Sequence, residues 1–254
     1  MKAPALFLGH GNPMNAIDDN LFVTTLNRLG KTLPKPKAVL VISAHWTEPF
    51  SAVSLHESEL LYDMYGFPRE LYMVTYPAKN GDFLIPRLQN MIPDLRVEKR
   101  ALDHGVWSVL LHLFPDADVP VIELCINSKF SMREHFEMGK ALGVLREEGV
   151  MIVGSGNVTH NLREAVLGDK DASVDAWAKE FDSFVKDALV SHDFDALIDF
   201  ETRQRYAHLA HPTKEHYIPL LYIAGASMSD EKSRFVYEGI EHGNLSMRSW
   251  ITGE

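Results

Sequence analysis

Histidine is the residue type in this chain with the greatest potential for chemistry. The 254 residues include 12 histidines, and imidazole both binds transition metals and titrates near neutral pH. Five of them occupy loop positions next to predicted strands or helices: His10, His45, His104, His160 and His216. In open α/β sheets, ligands bind beyond the carboxyl ends of the strands. We therefore expect these five side chains to converge on one cavity.

A metal centre is the chemistry that such a convergence favours. Three imidazoles on fixed loops can hold a divalent ion and leave coordination positions open, as a catalytic metal requires. Imidazole suits zinc or iron. The sequence contains no HExxH motif and no short two-histidine, one-carboxylate motif, so distant segments must assemble the site. His216 and Glu215 compete for one ligand position, because helix rotation decides which side chain points inward.

The other seven histidines are predicted to have ordinary structural roles. His112 lies in an apolar helix and is predicted to be a core or boundary residue, and His135 is predicted to lie on a helix face. The remaining five are predicted to be surface or turn residues: His56, His192, His208, His211 and His242.

Short apolar runs predict the strands that must position these side chains. The runs are rich in β-branched residues, as strands buried on both faces tend to be. They are Ala3–Leu8, Ala38–Ser43, Val119–Ile126 and Val150–Val153. His10 and His45 follow the first two strands, and His160 follows the fourth after a glycine-containing loop.

Helical patterns alternate with the strands. A capping box predicts a helix from Ser131 to about Glu148, and Thr213 is predicted to cap a helix to about Ala224 that carries His216 in its first turn. Periodic apolar residues predict a helix over Val174–Ala188, and two shorter helices are predicted over Gly81–Met91 and Gly105–Phe114. The alternation indicates an α/β protein.

The C-terminal region has a different pattern. Arg234–Ile240 and Asn244–Ile251 are predicted to be two strands of a hairpin joined by Glu241–Gly243. We therefore predict a single domain, 1–254, with a three-layer α/β sandwich. Its central sheet is mixed but mostly parallel, and it ends in an antiparallel hairpin.

Composition excludes several classes of protein. Hydrophobic residues form 46% of the chain and charged residues 24%, which is typical of a globular protein. The net charge of −10 disfavours binding to nucleic acid or to a membrane surface. A single cysteine, Cys125, excludes a disulfide framework and a cysteine-based zinc finger. With no signal-peptide or membrane-span pattern, we expect a cytoplasmic protein.

Two further segments bear on function. Gly154–Asn157 is rich in glycine, but it lacks the phosphate-loop lysine and a full GxGxxG motif, so it does not favour nucleotide binding. Ser155 is not in a Gly-x-Ser-x-Gly elbow, which disfavours a serine hydrolase.

The aromatic segment Tyr62–Tyr76 is either one wall of a pocket for a flat ligand or a packed Ω-loop. If it is a wall, its candidate substrate-binding residues are Tyr65, Phe67 and Tyr76.

Six motifs together resemble those of one enzyme family, in the same order and over nearly the whole chain. They are Leu8–Met14, Ser43–Trp46, Tyr65–Pro68, Leu102–Gly105, Gly154–Asn161 and Glu215–Tyr217. The chain resembles the 4,5-DOPA extradiol dioxygenases, which belong to the class III, LigB-type extradiol ring-cleaving dioxygenases.

The resemblance implies an α/β fold with one non-haem metal ion, ferrous iron in active ring-cleaving members and zinc in some isolated ones. The first two ligands match His10 and His45, and the third matches His216 in the DOPA-type branch. His160 matches the acid/base histidine, which in that branch is also a candidate ligand. His104 matches a histidine that contacts the substrate.

The function that this implies is metal-dependent opening of a catechol ring with O₂, giving a semialdehyde from a DOPA-like substrate. Two alternatives stay open on the residues alone. The same histidines could serve a zinc hydrolase, in which the metal activates a bound water. The fold could also belong to a non-catalytic protein that binds a metal or another ligand.

Overall fold

The computed structural model describes residues 2–228 and 231–253. Its strands, numbered along the chain, are β1 (Ala5–Gly9), β2 (Ala38–Glu48), β3 (Ala52–Leu55), β4 (Arg96–Lys99), β5 (Val121–Asn127), β6 (Val150–Gly156), β7 (Ser233–Tyr237), β8 (Ile240–Glu241), β9 (Leu245–Ser246) and β10 (Ser249–Thr252). Eight of them form one sheet in the order β4-β3-β5-β2-β6-β1-β10-β7, and β8 pairs with β9 separately.

The sheet is mixed and mostly parallel, as predicted. Strands β5, β2, β6 and β1 are mutually parallel and form its centre. The flanks are antiparallel, since β3 runs against β5 and β10 runs against both β1 and β7. Strands β1, β5 and β6 are fully buried, and β2 is buried from Ala38 to Ala44, which explains why their sequences are nearly continuous apolar runs.

Helices cover both faces of the sheet and complete the three layers. They are α1 (Leu21–Thr32), α2 (Ile85–Met91), α3 (His104–Leu113), α4 (Met132–Leu142), α5 (Ala176–Ser191), α6 (Phe194–Ile198), α7 (Phe200–Arg203), α8 (Ala207–Ala210) and α9 (Ile218–Ala226). Alternate residues of β2 divide between the two cores. Val39 and Val41 pack with α1 and α3, whereas Leu40 and Ile42 pack with α4, α5 and α9. The predicted sandwich is confirmed.

Two strands extend well beyond the ends that their apolar runs predict. Strand β6 continues to Gly156, and β2 continues to Glu48. His45 therefore lies within β2 and not after it. The pairing of β2 with β5 is irregular between Ile42 and Thr47, so the backbone at His45 departs from the regular ladder. The residues at the C-terminal ends of β2 and β6 interrupt the apolar runs, so the runs predict shorter strands.

Two predicted helix starts have different outcomes. The capping box before α4 is confirmed, because Ser131 Oγ accepts from Glu134 N at 3.2 Å and Glu134 Oε2 accepts from Ser131 N at 2.7 Å. Thr213 does not cap α9, which begins at Ile218 with proline in its first turn. The Thr213 hydroxyl instead donates to Glu215 Oε1 at 2.8 Å. His216 consequently lies in a turn before the helix.

The predicted C-terminal hairpin consists of two nested pairs. Strands β7 and β10 form the outer pair, and β8 and β9 form the inner one. Between β8 and β9 the chain turns through His242 and Gly243, whose φ values are 54° and 84°. Glycine suits this conformation, and histidine is among the side chains that tolerate it.

Four histidines predicted to lie on the surface, in turns or on a helix face are buried: His56, His135, His211 and His242. Three of them bond a backbone carbonyl through a ring nitrogen, His56 to Val121, His211 to Val158 and His242 to Val166. His135 Nδ1 lies 3.1 Å from Tyr222 Oη. Their imidazoles hold loops and helices to the core, which local sequence does not reveal. His208 is exposed and His112 is buried, as expected.

No helix among the described residues is both long and apolar enough to span a bilayer.

Candidate metal centre

Three histidines from separate parts of the chain meet at one edge of the sheet. His10 follows β1, His45 belongs to β2, and His216 precedes α9. One ring nitrogen from each lies within 4.8 Å of the other two, and His10 Nε2 and His45 Nε2 are 3.2 Å apart. His10 and His216 are buried, and His45 is half-buried. This grouping could hold one metal ion.

Ser155 sets the tautomer of His10. His10 Nδ1 lies 2.9 Å from Ser155 Oγ. The Ser155 hydroxyl donates its one proton to the carbonyl of Gly105 at 2.5 Å, so toward His10 its oxygen must accept. His10 Nδ1 therefore carries the proton, and Nε2 keeps its lone pair facing His45. Hydrogen bonds of this kind fix the orientation of metal-binding imidazoles.

Glu215 has the same relation to His216. Its Oε1 lies 3.2 Å from His216 Nδ1 and also accepts from the Thr213 hydroxyl. His216 Nε2 is buried and has no hydrogen-bond partner. An orphaned buried nitrogen is costly unless something binds it. The structure thus brings His216 into the ligand group, with Glu215 bound behind the ring.

Asp63 supports both His45 and His104. Its Oδ1 accepts from the backbone N–H of His104 at 3.0 Å and lies 2.8 Å from His104 Nδ1. Its Oδ2 is 3.5 Å from His45 Nδ1. Burial raises the pKa of Asp63, but the hydrogen bond and charge of His104 outweigh burial and lower it to about 2. The carboxylate holds the Nδ1 proton of His104, which leaves Nε2 of that ring free. Its negative charge favours a proton on Nδ1 of His45, the ring nitrogen nearer to it.

Burial keeps the three candidate ligands neutral. It is the main cause of the lowered pKa of each ring, and repulsion between neighbouring histidines adds to it. The pKa of His45 falls to about 4, and those of His10 and His216 lie well below their usual value. Neutral imidazoles are the form that binds metal. The donor set fits zinc or iron, whereas magnesium and calcium prefer oxygen ligands.

His160 adjoins this group without belonging to it. Its backbone N–H donates to Ala210 O at 2.9 Å, and its ring stacks on His216 with centroids 3.5 Å apart and planes 5° apart. Burial, followed by the charges of neighbouring histidines, lowers the pKa of His160 to about 3. No group of three close ligand atoms among the described residues includes His160. The geometry gives no support to His160 as a further ligand.

A cavity of about 640 Å³ opens over the histidines, within the range of small-molecule sites. It brings together all five histidines singled out in the sequence: His10, His45, His104, His160 and His216. Tyr65 and Phe67 also line it, and Tyr65 is 93% exposed at the rim.

Tyr76 does not line the cavity, so the prediction for this residue is wrong. Its side chain is 2% exposed and packs in the core against the α1–α3 layer. The aromatic segment divides its rings between two environments, with Tyr65 and Phe67 at the cavity and Tyr76 in the core. The number of aromatic residues in the segment does not predict which rings line the cavity and which lie in the core.

Sequence reasoning missed three supporting roles, those of Asp63, Ser155 and Glu215. Metal-binding histidines usually donate their second N–H to a carboxylate, carbonyl or water, so such partners were to be expected. No spacing pattern identifies Asp63, which is far from His45 and His104 in sequence. Ser155 was weighed only as a nucleophile, and Glu215 only as a rival ligand.

The aromatic ring-opening dioxygenases match this chain over most of its length. A family model described as the catalytic LigB subunit of aromatic ring-opening dioxygenase matches residues 7–247. The chain belongs to this family.

Two proteins similar to this chain carry the name 4,5-DOPA dioxygenase extradiol. The protein from Escherichia coli K12 is 42% identical over 98% of this chain and 94% of its own length. The protein from Beta vulgaris is 35% identical over 96% of this chain and 94% of its own length. A crystal structure of an uncharacterised protein from Escherichia coli K12 superposes with a TM-score of 0.87, at 41% identity over 99% of this chain and 100% of that one.

Gly156 allows the backbone before α9 to approach β6. Asn157 N donates to His216 O at 2.9 Å, and a Cβ on Gly156 would lie 2.2 Å from that oxygen. Real Cβ atoms do not come so close, so any side chain here must displace the backbone of His216.

Gly156→Ala is therefore expected to weaken metal binding by roughly 10–100-fold, the range typical when the support of a ligand is lost. Gly168→Ala is the matched control, because a Cβ there meets nothing within 4 Å. Titration of both metal-free variants with Zn²⁺ measures the effect. Equal affinities for the two variants would show that His216 does not depend on this close approach.

Proposed function

We propose that this chain is an extradiol dioxygenase that opens a catechol ring bearing a DOPA-like side chain, with residues 1–254 forming one catalytic domain. The observation that carries the proposal is the open group of three neutral histidines at the base of a cavity large enough for a catechol. Membership of the LigB family and the names of the relatives support it. In this reaction the C–C bond beside the diol breaks, and both atoms of O₂ enter the product.

His10, His45 and His216 would hold one Fe(II) or Zn(II) ion. Iron(II) is the form we propose for the ring-opening reaction, because zinc has no redox chemistry. When bound, iron supplies the Lewis acidity and the electron transfer between catechol and O₂ that ring opening needs. Because the third proposed ligand is a histidine and not a carboxylate, all three ligands are neutral. The full charge of the ion would then attract an anionic catecholate.

His160 is the proposed acid and base. Its burial keeps the ring neutral, so it can accept a proton from a catechol hydroxyl. A catecholate beside the ring would then favour the imidazolium by charge attraction. The same proton can return to the product later in the reaction.

His104 is proposed to hold a substrate oxygen. Its Nδ1 is bonded to Asp63, which leaves Nε2 as the nitrogen available to a ligand. Asp63 also anchors the backbone N–H of His104. Asp63 therefore holds His104 at both its backbone N–H and its ring Nδ1, as a positioning group requires.

Apolar side chains line part of the cavity and suit a flat ring. Met64 and Phe67 come from the aromatic segment, and Leu162 and Leu167 come from the segment after His160. A site with apolar walls and few polar groups is typical of small-molecule binding.

The iron-loaded protein is expected to convert a DOPA-like catechol to a yellow ring-opened product while consuming one O₂ per ring. Spectrophotometry with an oxygen electrode measures both quantities. The same protein under argon, and zinc-loaded protein in air, should form no product. Ester hydrolysis that persists without oxygen would instead support a zinc hydrolase, and silence toward both substrate classes would support a non-catalytic protein.

Substitution of two histidines separates proton transfer from metal binding. His160→Ala should retain much of the iron while turnover falls by roughly 10²–10⁴-fold, the usual contribution of a general acid or base. His10→Ala should lose iron and turnover together, because it removes a ligand. His208→Ala, at an exposed histidine outside the cavity, is the control and should match the unmodified protein.

Metal content and turnover of the three variants decide the assignment. If His160→Ala loses iron as fully as His10→Ala, His160 is chiefly a ligand and His104 becomes the next candidate base. Near-normal turnover of His160→Ala would remove the acid/base role altogether.

A further inference from the structure

The charged groups that line the cavity differ in whether they have a hydrogen-bond or ion-pair partner. Besides the histidines, they are the carboxylates of Asp63 and Glu215 and the guanidinium of Arg163. Asp63 is bonded to His104 and Glu215 to Thr213 and His216. Within residues 2–228 and 231–253, Arg163 has no side-chain ion pair or hydrogen bond. The cavity therefore has a guanidinium that forms no ion pair with the described residues.

The backbone of Arg163 is held in place although its side chain is exposed. Its N–H donates to Asn161 Oδ1 at 3.1 Å. Asn161 is 4% exposed, and its Nδ2 donates to Leu209 O at 2.7 Å. Because Asn161 directly follows His160, these bonds fix Arg163 relative to the proposed base.

The other side of this segment is anchored as well. Val166 N donates to His242 O at 2.9 Å, and His242 Nδ1 lies 3.2 Å from Val166 O. The buried His242 thus ties the segment to the turn between β8 and β9. Arg163 lies between two anchored points and faces the cavity with Leu162 and Leu167.

We infer that Arg163 binds a carboxylate on the side chain of the ring substrate and thereby selects acidic catechols over neutral ones. This inference rests on the proposed function. The planar guanidinium can donate two parallel hydrogen bonds to a carboxylate, which no other side chain of the cavity can do. The ring would face the histidines while its acidic side chain extends to the rim.

The overall charge of the protein disfavours the approach of an acidic substrate. The chain has a net charge of −10, so its surface repels anions at long range. An unpaired guanidinium at the cavity offsets that repulsion locally. Since Arg163 supports no other side chain, its replacement should alter substrate choice and leave the fold intact.

Turnover of the unmodified protein and three variants, all loaded with iron, on two substrates tests the inference. The substrates are 3-(3,4-dihydroxyphenyl)propionate, which carries the carboxylate, and 4-ethylcatechol, which lacks it. Arg163→Gln should lower kcat/KM for the acid by roughly 10–100-fold, mainly through KM, because charge-assisted bonds are among the strong ones. For 4-ethylcatechol it should change kcat/KM by less than about twofold.

Two further variants complete the design. Arg163→Lys should recover part of the preference for the acid, since it restores the charge without the planar fork. Arg28→Gln, at an exposed arginine of α1 outside the cavity, should behave as the unmodified protein on both substrates. An equal loss on both substrates, or no loss on either, would overturn the role of Arg163.

Binding to zinc-loaded protein separates this inference from the proposed function. Calorimetry should show tighter binding of the acid than of 4-ethylcatechol, and Arg163→Gln should abolish the difference. If no catechol is ever cleaved but this difference is found, the proposed reaction fails and the carboxylate site stands. If catechols are cleaved and Arg163→Gln binds the acid normally, the inference fails and the function stands.

Discussion

The contact between His10 Nε2 and His45 Nε2, at 3.2 Å, is the constraint on which the site depends. The proton of His10 is fixed on Nδ1 by Ser155, and that of His45 is drawn to Nδ1 by Asp63. Two lone pairs therefore face each other in a buried space. Neither ring can relieve this by taking up a proton at neutral pH, because burial disfavours the charged form. A cation bound to both nitrogens, as proposed, would resolve the arrangement.

The sheet supplies this arrangement through the order of its strands. Strand β6 lies between β1 and β2, and Ser155 is in register with Leu8 on one side and Ser43 on the other. The residue that orients His10 thus comes from the strand that lies between β1, which His10 follows, and β2, which contains His45. Gly156, one residue later, lets the backbone of His216 approach the same point. Adjacent parallel strands that end at one edge are what allow such distant residues to meet.

The sequence predicted the parts of this account that depend on local pattern. The apolar runs located β1, β2, β5 and β6, and the placement of His10 and His45 beside two of them suggested a shared site. The supporting contacts are not local. Asp63 reaches His104 across 41 residues, and Ser155 reaches His10 across 145. The sequence around Asp63 or Ser155 contains no pattern that predicts such a contact. For the same reason, His56, His211 and His242 resembled surface residues although each bonds a distant carbonyl.

The protons released when zinc binds to the metal-free protein at pH 6.0 test the central claim most directly. Calorimetry in buffers of different ionisation enthalpy gives this number together with the stoichiometry. Three free imidazoles with a pKa of about 6.5 would together release about two protons at this pH. Because the structure holds its three candidate ligands neutral, we predict one zinc per chain with release of less than about half a proton. Release of about two protons would contradict the account, since the histidines would then be charged before the metal binds.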